Sequence, residues 1–126
     1  ANKAAIKAVK PGVSPFDLNE LTKKVLADGL IKLGYIKEPQ EISKYYTHGV
    51  SHLLGLDTHD VQSGSRSALV PGMVLTIEPG LYIPEKGIGI RIEDDVAVTT
   101  NGGINLSANI PKEVCDVEAW IREAQA

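Results

Sequence analysis

The segment 71–100, PGMVLTIEPGLYIPEKGIGIRIEDDVAVTT, decides the fold class because its residue pattern differs from that of the segments before it. Positions 71–83 carry a turn signal followed by β-branched and aromatic residues, a pattern that predicts a buried strand. Positions 87–100 predict a second strand region, with a break near Asp94 and Asp95. The connection at 84–87 is short enough to join the two strands as a hairpin. We therefore expect antiparallel strands in this part of the chain.

Strong helix signals precede these strands. Segment 1–9 is helix-prone and ends before a Pro-Gly pair that breaks helices. Within 13–35, Ser14 is placed as an N-cap, Pro15 follows at the first helical position, and Asp17 completes the capping signal. Gly34 is placed to end this helix. The face expected to pack on a core carries apolar residues at helical spacing, namely Leu18, Leu21, Val25 and Leu26.

The remaining segments complete an α+β pattern. Residues 37–44 are mostly polar and predict a loop, as do residues 62–67, QSGSRS. The sequence NGG at 101–103 predicts a turn, and 111–126 predicts a final amphipathic helix. The expected fold is therefore α+β, with an antiparallel sheet covered by helices.

Composition limits the functional classes. A chain of 126 residues, 43% of them hydrophobic, suffices for one domain with a buried core. The formal net charge is -3 without a basic stripe, and no apolar run approaches the ~20 residues that span a bilayer, so we expect neither nucleic acid nor membrane as a partner. The single cysteine, Cys115, cannot form an internal disulfide and fits a cytoplasmic location. Because the chain opens at Ala1 without an initiator methionine, we expect a fragment of a longer protein.

Candidate metal ligands stand out against this background. All three histidines, His48, His52 and His59, fall within the short segment 47–60, THGVSHLLGLDTHD. Glu78 and Glu93 lie in apolar predicted strands, where an unpaired carboxylate is costly. A cation would satisfy both carboxylates, and one imidazole with two carboxylates suits Mn, Co, Zn or Fe better than Ca.

An alternative assigns the two glutamates to ion pairs with Arg91 and Lys86 instead of a metal. The His48-to-His52 spacing also invites comparison with the H-E-x-x-H zinc helix. That match fails because Gly49 stands where the motif requires the catalytic glutamate.

Three ordered motifs resemble the Xaa-Pro peptidases of the pita-bread fold, aminopeptidase P and prolidase. They are HGVSHLLGLDTHD at 48–60, PGMVLTIEPGLYI at 71–83 and GIGIRIEDDVAVT at 87–99. The resemblance extends over nearly the whole chain. It implies that residues 1–126 form the C-terminal portion of a catalytic domain with the creatinase/aminopeptidase fold, a pseudo-two-fold pair of α/β halves.

The resemblance also implies a set of metal ligands. In that family two Asp, one His and two Glu hold two divalent ions, and the His and Glu correspond here to His52, Glu78 and Glu93. The two Asp belong to an earlier part of the family domain and have no counterpart in this sequence. Manganese is the expected metal, with cobalt or zinc as alternatives.

Further roles follow from the same resemblance. Water activated by the two ions attacks the scissile carbonyl. Glu78 moves the proton as general base and acid. His59 stabilises the oxyanion or holds the substrate carbonyl, and His48 contacts the substrate near its proline. Arg91 orients the metal cluster.

The expected activity is that of a metallopeptidase hydrolysing the bond before proline, in a proline-containing peptide or a dipeptide. The parent enzyme is expected to be a homo-oligomer, and the fragment is expected to be inactive alone. One alternative is a non-catalytic pita-bread module that binds a peptide or protein. Another is creatinase-like hydrolysis without metal, which the retention of His52, Glu78 and Glu93 disfavours.

Overall fold

The computed structural model describes residues 1–61, 64 and 66–125, so three positions of the predicted loop at 62–67 lie outside the described residues. Helices surround two small antiparallel sheets. The helices are α1 (Asn2–Ala8), α2 (Pro15–Lys32) and α3 (Val114–Ala124), with 3₁₀ helices at Pro39–Lys44 and Pro84–Lys86. The strands are β1 (Val74–Ile77), β2 (Gly80–Ile83), β3 (Ile88–Arg91), β4 (Asp94–Thr99) and β5 (Gly102–Asn105).

Local sequence signals determine the ends of α2. The Ser14 hydroxyl accepts a hydrogen bond from the Asp17 N–H at 3.2 Å, and the Asp17 carboxylate accepts one from the Ser14 N–H at 2.9 Å. This reciprocal pair is the predicted capping box. Gly34 follows the C-cap Leu33 with φ +77°, a conformation that favours glycine at the end of a helix.

The strands form two sheets, with order β1-β4-β5 in one and β2-β3 in the other. The prediction of one buried strand over 71–83 is wrong, because the chain leaves the first sheet at Glu78 and enters the second at Gly80. Pro79 between them has no N–H to donate to a ladder. The predicted break near Asp94 and Asp95 is present, but it lies directly before them, at Ile92 and Glu93, and β4 begins at Asp94. The predicted hairpin at 84–87 is confirmed, since β2 pairs with β3.

Two buried clusters fill the interior, and α2 contributes to both. The first lies between α1, the start of α2 and the three-stranded sheet, and consists of Ala5, Val9, Leu18, Val50, Leu69, Leu75, Ile77, Val96 and Val98. The second lies between the end of α2, the first 3₁₀ helix and β2, and consists of Ala27, Leu30, Ile36, Ile42, Tyr45, Tyr46 and Ile83. Of the predicted apolar face only Leu18 is fully buried, because α2 turns different residues toward the two clusters.

Residues 37–44 and the C-terminal helix differ in part from their predictions. Residues 37–44 contain a 3₁₀ helix rather than only loop, because the Glu41 carboxylate accepts hydrogen bonds from the Lys37 and Glu38 N–H groups at 2.7 and 3.1 Å around Pro39. The predicted C-terminal helix is present as α3, but none of its residues is buried. The helix that lies directly on the three-stranded sheet is α1, which contacts β1 and β5. Across the described residues, no helix is both long and apolar enough to cross a membrane.

Candidate metal centre

Three candidate ligands meet at one end of the three-stranded sheet. One ligand atom from each of His52, Glu78 and Glu93 lies within 4.8 Å of the others. The His52 Nε2 atom is 3.3 Å from the Glu78 carboxylate. Backbone hydrogen bonds fix the histidine segment beside β1, from the Thr76 N–H to the His52 carbonyl at 3.0 Å and from the Glu78 N–H to the Val50 carbonyl at 2.8 Å.

The strand register explains why the two glutamates are neighbours. In the β1-β4 ladder Ile77 is opposite Asp94, so the next positions outward are Glu78 and Glu93. Adjacent like charges on neighbouring strands repel each other. A cation between the two carboxylates removes that repulsion, and the chemistry of the donor set therefore fits a divalent metal ion.

Hydrogen bonds orient the His52 ring toward Glu78. Its Nδ1 atom lies 3.1 Å from the Leu53 carbonyl, which can only accept, so Nδ1 carries the proton. In the neutral form of the ring, the lone pair of Nε2 then faces Glu78. The buried Thr76 hydroxyl accepts from the His52 N–H at 3.1 Å and donates to the Glu78 carboxylate at 3.3 Å. One threonine therefore fixes both ligands.

The environments of the two glutamates differ. The Glu78 side chain is 15% exposed, as expected for a carboxylate in an apolar setting. Glu93 is exposed, and the prediction that it lies within an apolar strand is wrong because it stands in the break between β3 and β4.

The structure gives little support to the alternative in which Arg91 and Lys86 form ion pairs with the two glutamates. The Arg91 Nε atom lies 3.9 Å from the Glu78 carboxylate, and 53% of the Arg91 side chain is exposed. An exposed pair at this distance contributes little free energy. The Lys86 ammonium lies over the Tyr35 ring, 5.6 Å from its centroid. Arg91 therefore approaches Glu78, while Lys86 is occupied elsewhere.

The other two histidines lie in different surroundings. The ring of the exposed His59 meets the His52 ring edge-on, with centroids 4.4 Å apart. His48 is half-buried, and its ring lies between those of Tyr46 and Tyr82, with centroid distances of 5.6 and 5.5 Å. His59 thus stands beside a candidate ligand, whereas His48 belongs to a row of aromatic rings.

Tyr82 is a site residue that the sequence analysis did not identify. Its hydroxyl lies 2.8 Å from His48 Nε2, while His48 Nδ1 lies 2.7 Å from the Gly49 carbonyl. The carbonyl requires the proton on Nδ1, so the Tyr82 hydroxyl donates to Nε2. A Cβ atom at Gly80 would lie 2.5 Å from both partners, and one at Gly89 would lie 2.9 Å from the Tyr82 ring. The feature of the sequence that could have indicated Tyr82 is the predicted hairpin, whose register pairs Tyr82 with a glycine, Gly89.

A buried carboxylate follows Glu93 directly. Asp94 is 1% exposed. Burial raises its pKa, but hydrogen bonds to the charged form lower it by more, so the pKa of Asp94 is below its ordinary value. The donors to Asp94 are Lys112, Asn105, Ser107 and Asn2.

An open space adjoins the candidate ligands. A cavity of about 340 Å³ is lined by His52, Thr58, Thr76, Glu93 and Asp95, among others. A larger cavity of about 560 Å³ lies between α2 and the first 3₁₀ helix and includes none of these five residues. The smaller cavity is therefore the space in which a molecule could approach the ligand cluster.

The chain resembles known peptidases. Residues 1–100 match metallopeptidase family M24. Xaa-Pro aminopeptidase 1 of Streptomyces coelicolor is 42% identical over 96% of this chain. A solved structure from Bacillus anthracis assigned to aminopeptidase P superposes with a TM-score of 0.92 at 55% identity, covering 96% of this chain. Zinc-substituted Escherichia coli aminopeptidase P in complex with product gives a TM-score of 0.87 at 38% identity, covering 98% of this chain.

The matched proteins are much longer than this chain. The chain spans 29% of the Streptomyces protein, 29% of the Bacillus chain and 32% of the Escherichia coli chain. The antiparallel strands and the flanking helices thus correspond to part of the aminopeptidase P structure.

Proposed function

Because the chain belongs to metallopeptidase family M24, we propose that it carries part of the catalytic centre of a peptidase that cleaves the bond before proline. The observation that carries this proposal is the convergence of His52, Glu78 and Glu93 within 4.8 Å. The relatives named Xaa-Pro aminopeptidase support the choice of bond. The Escherichia coli relative also binds the inhibitor Pro-Leu in a solved structure, which favours a proline-containing peptide as substrate.

His52 Nε2 and the carboxylates of Glu78 and Glu93 would hold the metal. A divalent ion bound there acts as a Lewis acid on the substrate carbonyl and lowers the pKa of water. Manganese is the proposed metal, and cobalt or zinc are alternatives. The zinc-substituted Escherichia coli relative supports a site of this kind that accepts zinc.

Glu78 is proposed to move the proton during cleavage. Its carboxylate is only 15% exposed and is held by Thr76, so one oxygen can accept a proton while the geometry is kept. Arg91 would help to orient the metal cluster through charge attraction, since its Nε atom lies 3.9 Å from the second oxygen of Glu78.

The two other histidines are proposed to act on the substrate. His59, beside the His52 ring, would donate to the carbonyl oxygen as negative charge develops there. His48 would contact the substrate near its proline, and Tyr82 would fix the orientation and tautomer of His48 through their 2.8 Å hydrogen bond.

We further propose that residues 1–126 form the C-terminal portion of the catalytic domain. The short coverage of the relatives supports this, and two aspartate ligands would then come from outside the 126 residues. The 126 residues alone would bind metal weakly and would not hydrolyse peptides. A cytoplasmic homo-oligomer that acts as an aminopeptidase rather than a strict dipeptidase is the proposed parent.

The test uses the full-length protein and two variants. His52→Ala should lose bound metal and hydrolysis of an Xaa-Pro peptide together. Glu20→Gln, which changes an exposed side chain of α2 that pairs with Lys23, is the control and should keep both. Normal metal content in the His52→Ala protein would contradict the proposed ligand set.

A further inference from the structure

The side chain of Asn2, at the start of α1, lies between the two segments that lead into the candidate glutamate ligands. Its Nδ2 atom is 3.2 Å from the Ile77 carbonyl and 3.4 Å from the Ile92 carbonyl. It is also 3.0 Å from the Asp94 carboxylate. One amide group therefore contacts the backbone immediately before Glu78 and immediately before Glu93.

The Asn2 amide lies where the regular pairing of β1 with β4 stops. The β1-β4 register ends with Ile77 opposite Asp94, and the glutamates stand one step beyond it. Beyond this point the Asn2 amide links the two segments, its two hydrogens shared among the Ile77 carbonyl, the Ile92 carbonyl and the Asp94 carboxylate.

The Asn2 amide is itself firmly placed. Three residues further along α1, Ala5 is fully buried in the first core cluster. On the other side, the Asp94 carboxylate is buried, pairs with the Lys112 ammonium and accepts a hydrogen bond from Ser107 at 2.8 Å. The amide therefore connects a helix anchored in the core through Ala5 to a buried carboxylate, and these two attachments restrain it.

We propose that Asn2 is a positioning residue that sets the separation of Glu78 and Glu93 and thereby the affinity of the site for a divalent ion. The inference rests on the proposed metal site. Without the amide, the like charges of the two glutamates push the strand ends apart, and the ion has to bring them together again. Groups that orient metal ligands typically contribute 10–100-fold in affinity, and Asn2 is expected near the lower end, about tenfold.

The test is titration of Mn²⁺ into the metal-free full-length protein, for the wild type and Asn2→Ala. Asn105→Ala is the matched control, because it removes a hydrogen bond to Asp94 without touching the carbonyls before the glutamates. Asn2→Ala should weaken Mn²⁺ binding about tenfold. Asn105→Ala should bind Mn²⁺ within about twofold of the wild type. This should hold even if Asn105→Ala lowers the Tm of the metal-free protein as much as Asn2→Ala does. Asn2→Ser is the milder variant, interpreted in the same way if Asn2→Ala does not fold.

The outcomes separate this inference from the proposed function. If Asn2→Ala and Asn105→Ala lose equal affinity, or neither loses any, Asn2 has no special role and the inference is overturned. His52→Ala in the same titration tests the metal site itself. Retained Mn²⁺ affinity in His52→Ala overturns the proposed function, whereas its loss beside an unaffected Asn2→Ala overturns only the inference.

Discussion

Replacing Lys112 by methionine tests the buried ion pair that Lys112 forms with Asp94. The Asp94 side chain is 0% exposed, whereas 17% of the Lys112 side chain is exposed. Lys112→Met keeps most of the side-chain length but removes the charge, so the carboxylate stays buried without a cationic partner. Breaking a buried pair in this way typically costs ~3–5 kcal/mol. The hydrogen bonds from Asn2, Asn105 and Ser107 remain, so we expect about 3 kcal/mol, the lower end of that range.

The reverse change should cost less. In Asp94→Asn the ammonium of Lys112 loses its partner, but it can turn toward water because the side chain is partly exposed. We therefore expect a loss of ~1–3 kcal/mol, which is typical for an unsatisfied buried group, and a value below that of Lys112→Met. The double variant should lose less than the sum of the single variants, because the second change removes a group already left unpaired.

The measurement is urea denaturation of the full-length protein, comparing the free energy of unfolding at constant denaturant dependence. Lys3→Met is the matched control, because Lys3 pairs with Glu113 at 2.6 Å while 78% of the Lys3 side chain is exposed. The control should show no measurable change. If Lys112→Met costs no more than Lys3→Met, or less than Asp94→Asn, the reasoning from the buried charge is refuted.

Three further predictions concern single residues. Hydrogen bonds to the Glu41 carboxylate, first from the Lys44 side chain and then from the N–H groups of Lys37 and Glu38, lower the pKa of Glu41 to about 2. The charged carboxylate therefore stabilises the fold fully above the ordinary Glu pKa of ~4.3, and this stabilisation is lost as the pH falls toward 2. On acidification between these two pH values, the Tm of the wild type should therefore fall more than the Tm of Glu41→Gln. Equal decreases would refute the stabilising role of the charged Glu41 carboxylate. Gly80→Ala should lose ~1–3 kcal/mol of unfolding free energy by overpacking against His48 and Tyr82, whereas Gly29→Ala, whose Cβ meets nothing within 4 Å, should lose none. His59→Ala in the full-length protein should lower kcat by about 10²–10³ and keep the metal, and loss of metal by elemental analysis would make His59 a ligand instead.

Local signals made much of the fold predictable. Ser14 and Asp17 are three residues apart and form the capping box that their spacing indicates. The hairpin at 84–87 follows from the short connection between two strand patterns. One error in the strands arose at Pro79, where an apolar run continues although the chain passes from one sheet to another. Another arose at 102–105, which form β5 although NGG at 101–103 predicts only a turn.

The sequence alone indicated which residues to consider as candidate ligands, but not what surrounds them. His52, Glu78 and Glu93 could be identified as candidate ligands because their residue types are unusual in such segments. The exposure of Glu93 depends on the exact position of the strand break, which the pattern of 87–100 places at Asp94 and Asp95 and the structure at Ile92 and Glu93. The contacts of Asn2 with Ile77 and Ile92 join residues that are 75 and 90 positions apart, so only the assembled fold places them together.

The most direct test of the proposed metal centre is anomalous diffraction from crystals of the full-length protein loaded with manganese. The account predicts an anomalous peak within bonding distance of His52 Nε2 and of carboxylate oxygens from both Glu78 and Glu93, the atoms that already converge within 4.8 Å. An anomalous peak bound by other side chains, or a fully loaded protein without a peak at these three residues, would contradict it.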